Sequence, residues 1–126
     1  MEVSGEIRHY LESARSWLRA AERSSDIPEP AAFLSLHSLE LAVKAALLAE
    51  TGEEYKTHNI GGEFGKFFRE EAGKDRCGEL NKKLMRYDPV RYPETDVEEK
   101  EAEEILEFAE EFVNEVVPEI LERRNV

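Results

Sequence analysis

The sequence predicts an all-α protein, an up-and-down bundle of four to five antiparallel helices. Three observations predict it. Every long segment repeats its apolar residues with helical period, no stretch alternates with strand period between hairpin signals, and the Pro- and Gly-bearing breaks are short.

The first helix is expected from about Ser4, a residue type suited to an N-cap, to about Arg23. Its apolar face is Ile7, Tyr10, Leu11, Ala14, Trp17, Leu18 and Ala21. "SSDIPEP" stops it, and Pro30 suits the first turn of a second helix running to about Glu50, with Gly52 as terminator. A shorter third helix follows "KTHNIGG" and turns Ile60, Phe64, Phe67 and Phe68 inward. His58 is expected to begin it, with Thr57 and Asn59 beside it as caps. The fourth covers roughly Asp75 to Tyr87 on Cys77, Leu80, Leu84 and Tyr87, and "DPVRYPET" reads as a loop held by Pro89 and Pro93. The fifth opens at Thr95 with Glu98 three residues on, a capping-box pattern. It buries Ile105, Phe108, Ala109, Phe112, Val113, Val116 and Ile120, and Pro118 must kink it or end it near Val117.

A chain of 126 residues suits one domain, residues 1–126. It is 40% hydrophobic and 37% charged, against about 25% charged in an average soluble protein. That density of interspersed Glu, Lys and Arg points to a thermophilic source. Net charge is -12, from 17 basic and 29 acidic side chains, which excludes global attraction to nucleic acid. The acid concentrates in "PETDVEEKEAEEILEFAEEF", whereas residues 66–91 are rich in Lys and Arg and leave room for a local basic face. Cys77 stands alone, so no intramolecular disulfide or Cys-based metal framework is expected, and it reads as a small core residue. His9, His37 and His58 lack paired ligand spacing, so no metal or other cofactor is expected. No apolar run approaches the roughly 20 residues of a membrane span, and "MEVSGEIRHYLES" lacks a signal-peptide pattern. No membrane association and a cytoplasmic location are therefore expected.

"LSLHSLELAVKAALL", residues 34–48, carries the most information about a site. At 100° per residue, Phe33, His37, Glu40 and Lys44 share one narrow sector. Leu36, Leu39, Val43 and Leu47 flank it on one side, and Leu34, Leu41, Ala45 and Leu48 on the other. The opposite face is small: Ser35, Ser38, Ala42, Ala46 and Ala49. Such a helix is central, contacted from several directions, with one neighbour approaching closely over the small face. The polar line is either a solvated i,i+4 pair worth about 0.2–0.5 kcal/mol or a buried pair obliged to hydrogen-bond fully.

The order of features is also informative. An amphipathic helix precedes a helix containing "HSLELAVKAALLAETG", then come "THNI" and "RYPE" ahead of an acidic last helix. This order, with Glu40 to Ala45 as "E-x-x-x-K-A", then Gly52 and "T-H-N" at 57–59, resembles the HEPN domain family over nearly the whole chain. The resemblance implies a helical bundle that forms a homodimer. It further implies a minimal nucleotidyltransferase partner, in two-component systems of the toxin–antitoxin kind, and a nucleotide or RNA ligand. The family's ribonucleases carry an Arg followed after four to six residues by a His. Here the positions that would hold that Arg are Pro30, Ala31 and Ala32 ahead of His37, Thr51, Gly52 and Glu53 ahead of His58, and Glu2, Val3 and Ser4 ahead of His9. The resemblance therefore implies the fold and not the cleavage, and no catalytic residue is assigned.

The expected role is a non-catalytic module binding nucleotide, such a partner, or both. Its candidate binding residues are His37, Glu40, Lys44, Thr57, His58, Asn59, Arg86, Arg91 and Tyr92. The helix start near His58 with "IGGEFG" offers free N–H groups to a phosphate. Arg86, Arg91 and Tyr92 offer cation and stacking contacts, unless "RYPE" merely anchors its loop by burying Tyr92. The alternatives are a divergent ribonuclease using His58 as acid or base, and a purely structural role for the acidic last helix.

Overall fold

The computed structural model describes residues 2–57, 60–92 and 95–126, with side chains from Ser4 onward. All regular structure within them is helical: α1 (Glu2–Arg23), α2 (Pro28–Thr51), α3 (Gly61–Ala72), α4 (Lys74–Met85), a single turn α5 (Tyr87–Val90), α6 (Glu99–Glu111) and α7 (Val117–Arg123). A π-helical turn, Phe112–Val116, joins α6 to α7.

Helix α2 is the axis of the bundle, and each of the other helices packs on it. Pro28 and Pro30 lie in its first turn, where surplus N–H groups make proline harmless. Gly52 ends it in the left-handed conformation (φ 75°), donating its N–H to Leu48 O at 2.8 Å. The small face meets α1, where Ser38 Oγ donates to the Ala14 carbonyl at 2.6 Å and both residues are fully buried. The sequence-based expectation of no apolar span needs one correction. Pro28–Thr51 is long enough to cross a membrane and contains an 18-residue window of mean hydropathy 1.5, because leucines and alanines outweigh Glu40 and Lys44 in the average. In the same window 72% is buried inside the bundle, which accounts for its apolar character as core.

Other boundaries shift for identifiable reasons. Ile60, not a residue of "THN", is the N-cap position of α3 and makes no side-chain cap bond; His58 and Asn59 lie outside the described residues. Glu98 rather than Thr95 is the N-cap of α6, also without a side-chain cap, so the capping box does not form. Part of the expected "DPVRYPET" loop winds into α5, with Pro89 inside that turn. Gly73 (φ 95°) alone separates α3 from α4, and the pair forms a hairpin in which Gly61 faces Asn81 and Gly65 faces Cys77. A Cβ on Gly61 would stand 2.9 Å from Asn81 Cα, so this close approach requires glycine. Near Pro118 the α-helix is interrupted as expected, α6 giving way to the π turn and α7 beginning at Val117. The wider π turn frees the carbonyls ahead of it, and Pro118 enters the first turn of α7.

The core between these helices is aromatic at one end. Phe64 lies 4.8 Å from Phe68 and 5.6 Å from Phe112, ring centre to ring centre. Arg124 closes that end. It donates to both carboxylate oxygens of Glu71 (2.6 and 3.1 Å) and to Glu50 (3.0 Å), and its guanidinium lies over Phe68. Hydrogen bonds from Arg124 hold the Glu71 carboxyl below its ordinary pKa.

Two hydroxyls on the small face of α2 behave oppositely. Ser35 Oγ is buried without a partner among the described residues, whereas Ser38 Oγ is bonded. Ser35→Ala is expected to raise stability and Ser38→Ala to lower it, each by about 1 kcal/mol, in urea unfolding at constant slope. A pH effect follows from α6. The hydrogen bond with Glu22 on α1, aided by burial and by Glu107, raises the Glu110 pKa from 4.5 to about 7. The folded state therefore holds a proton that the unfolded state releases. This contribution is present below pH 4.5 and is lost as pH rises toward 7. Melting curves between pH 5 and 8 should show Glu110→Gln flattening that decline; an unchanged slope would contradict the shared proton.

Candidate functional site

The polar line of α2 lies inside the bundle. Glu40 is 2% exposed, and Lys44, one turn on, is 12% exposed and bonds its carboxylate at 2.7 Å. Placing Lys after Glu at i+4 on a helix brings the two heads together without strain. The burial decides between the two sequence-level alternatives, because a carboxylate withdrawn from water demands a cation and further hydrogen bonds.

Toward the N-terminus of α2 the line becomes aromatic. His37 Nδ1 lies 2.5 Å from the Tyr87 hydroxyl of α5. Burial, then the negative charge of Glu40, pushes the Tyr87 phenol up to about 12. It stays protonated at neutral pH and shares a hydrogen bond with Nδ1, the direction of which depends on the ring's tautomer. Trp17 of α1 meets the His37 ring edge to face, centres 4.9 Å apart, and Phe33 stacks parallel at 6.2 Å. Tyr87 completes the collar against Phe33 at 5.6 Å. Tyr87 and Ile60 are buried, yet Trp17 is 41% exposed, so one side of the collar opens to solvent. Trp17 was expected on the inward face of the first helix; it sits at that face's border, over His37.

Toward the other end, Tyr10 of α1 donates to Glu54 Oε1 at 2.8 Å. Burial, then that bond, raises its phenol to about 12, with Glu40 adding to the effect. Gly5, Glu6, His9, Tyr10 and Glu54 line a recess of about 560 Å³ here. One seam thus runs from this recess, past Lys44 and Glu40, to the aromatic collar.

The expected residues separate accordingly. His37, Glu40 and Lys44 share the seam. Arg86 does not join them, because its guanidinium is committed to both oxygens of Glu101 (2.5 and 2.9 Å), bridging α4 to α6. Arg91 pairs with Asp88 at 3.0 Å on the surface, and Tyr92 is 54% exposed, so "RYPE" does not anchor its loop by burying that ring. Thr57 is exposed in the loop ahead of α3, and His58 and Asn59 lie outside the described residues. Cys77 is buried, with its thiol pKa raised by that burial. Sequence reasoning missed Tyr10, Trp17, Tyr87 and Glu54 as companions of the α2 line. The available signal was aromatics with a polar tip at the edges of apolar faces, where one end can be buried and the other bonded.

The seam makes a stability prediction. Lys44→Met leaves the Glu40 carboxylate in place without its cation and should cost about 3 kcal/mol in chemical denaturation. Glu40→Leu combined with Lys44→Met should recover most of that loss. A double variant as unstable as the single one would show that the ion pair is not what the interior depends on.

A model of the HEPN domain family matches residues 7–121. No curated protein matches the chain. Among solved structures, TT1696 from Thermus thermophilus is similar, with a TM-score of 0.76 and 27% identity over 92% of this chain and 98% of that one. From Ile7 in α1 to Leu121 in α7 the family's pattern is matched, and the chain belongs to the HEPN domain family.

Proposed function

We propose that this chain is a non-catalytic HEPN module, cytoplasmic and homodimeric, that binds a nucleotide, a minimal nucleotidyltransferase partner, or both, within a two-component system of the toxin–antitoxin kind. The observation carrying this reading is the collar of Trp17, Phe33, His37 and Tyr87 at the open end of the α2 seam. A half-exposed indole beside a positioned imidazole is a platform on which a base can stack. Glu40 is too deeply buried to touch a ligand, so its role is to hold Lys44 and to shape the field around Tyr87. Arg91, paired only at the surface, is the cation free to exchange Asp88 for a phosphate. Without an Arg four to six residues ahead of any His, the family's cleavage chemistry has no template here.

Trp17 is the sole tryptophan, so its fluorescence reports on the collar directly. Titration with ATP or GTP should quench it saturably, and ligand at several times its dissociation constant should stabilise the fold by about 1 kcal/mol or more. Arg91→Ala should weaken binding roughly tenfold while leaving the melting temperature of the free protein unchanged. No quenching and no stabilisation at millimolar nucleotide, with no co-purification of a nucleotidyltransferase encoded beside it, would overturn the reading.

A further inference from the structure

Two oppositely charged grooves flank helix α4, and nothing within the chain explains both. On one side the α3–α4 hairpin encloses a groove of about 390 Å³ lined by Gly61, Gly65, Lys66, Arg69, Lys74 and Cys77 among others. In a chain of net charge -12, none of Lys66, Arg69 and Lys74 forms an ion pair among the described residues. On the other side, α4 and α6 enclose a groove of about 460 Å³ lined by Glu79, Glu104, Glu107, Glu111 and Glu115, with Lys83 paired to Glu79. Arg76 neutralises Glu111 there, and Glu104, Glu107 and Glu115 remain exposed.

The two grooves also match in height. Helix α6 runs antiparallel to α4, with Arg76 beside Glu111 and Arg86 beside Glu101. Helix α3 is antiparallel to α4 as well, with Cys77 beside Gly65 and Asn81 beside Gly61. The cations Arg69 and Lys74 and the carboxylates Glu111 and Glu115 therefore both lie toward the Lys74 end of α4.

We propose that the α4 ridge and its two grooves form a self-complementary surface whose occupant is a second copy of this chain. The proposal rests on the expectation of a homodimer and names the face that makes it. A two-fold axis parallel to α4 keeps each height and exchanges left for right. It sets the basic groove of each copy against the acidic groove of the other. An axis perpendicular to α4 within the interface would oppose cations to cations, so the charges select the parallel pairing. Because a two-fold contact uses the same patch twice, each ionic set forms twice. Two chains of -12 repel at a distance, so association needs such local opposition of charge and must weaken with salt.

The test is sedimentation velocity on the whole chain, without nucleotide or partner protein, in roughly 50 and 500 mM salt. The expected result is a dimer at low salt whose dissociation constant rises about tenfold or more at high salt. Lys66→Glu with Arg69→Glu, or Glu107→Lys with Glu115→Lys, should each weaken self-association by at least about tenfold. All four positions are exposed, and a circular dichroism melt confirms that each variant folds. Mixing the two variants should restore dimerisation as a heterodimer, since the unchanged acidic groove of the first meets the unchanged basic groove of the second, and the altered groove of the first meets one whose excess negative charge has been removed. A monomer at every concentration overturns both this surface and the homodimer. A dimer indifferent to salt and to the reversals, or reversals that mixing does not rescue, removes this surface while leaving self-association through another face.

Discussion

The enclosure of α2 is the constraint on which the rest of the structure depends. A helix of 24 residues without a broad charged face cannot stand in water, so it must be covered on every side. That requirement sets the order of the bundle around it. The serines and alanines admit α1 closely, the leucines and valines meet α6 and the aromatic end of the core, and the intervening polar line is trapped between them. Glu40 is then withdrawn from solvent, and the i,i+4 geometry that brings Lys44 to it stabilises the fold.

The same enclosure organises the site. Burial raises the pKa of both Tyr10 and Tyr87, and the Glu40 carboxylate adds to the shift of each. One donates outward to Glu54 and the other shares a hydrogen bond with His37. The imidazole is thereby held in orientation beneath Trp17, and a purely apolar core would not provide that positioning. The functional reading and the stability of α2 thus share one set of atoms.

Away from α2, the chain handles its excess of acid through inter-helical clamps. Arg76 and Arg86 fasten α4 to α6, and Arg124 gathers Glu50 and Glu71 onto the end of the core. Where cations are sufficient the helices are joined. Where carboxylates crowd, as at Glu22 and Glu110, a proton is retained instead. The basic α3–α4 groove stands outside this scheme, since Lys66, Arg69 and Lys74 form no ion pair among the described residues.

The helical class, the central position of the second helix and its close contact over small residues were determined by the sequence itself, because 3.6-residue periodicity and side-chain size are local properties. The kinship was legible as well, in the order of "HSLELAVKAALLAETG", "THNI" and "RYPE". Burial of Glu40, the partnership of His37 with Tyr87 fifty residues away, and the diversion of Arg86 to Glu101 were decided only in three dimensions. The termini of α3 and α6 and the π turn ahead of Pro118 belong to that second group. A motif shows which groups a helix carries on one face, but the packing of other helices against that face decides which of them meet water, a partner or a counter-charge.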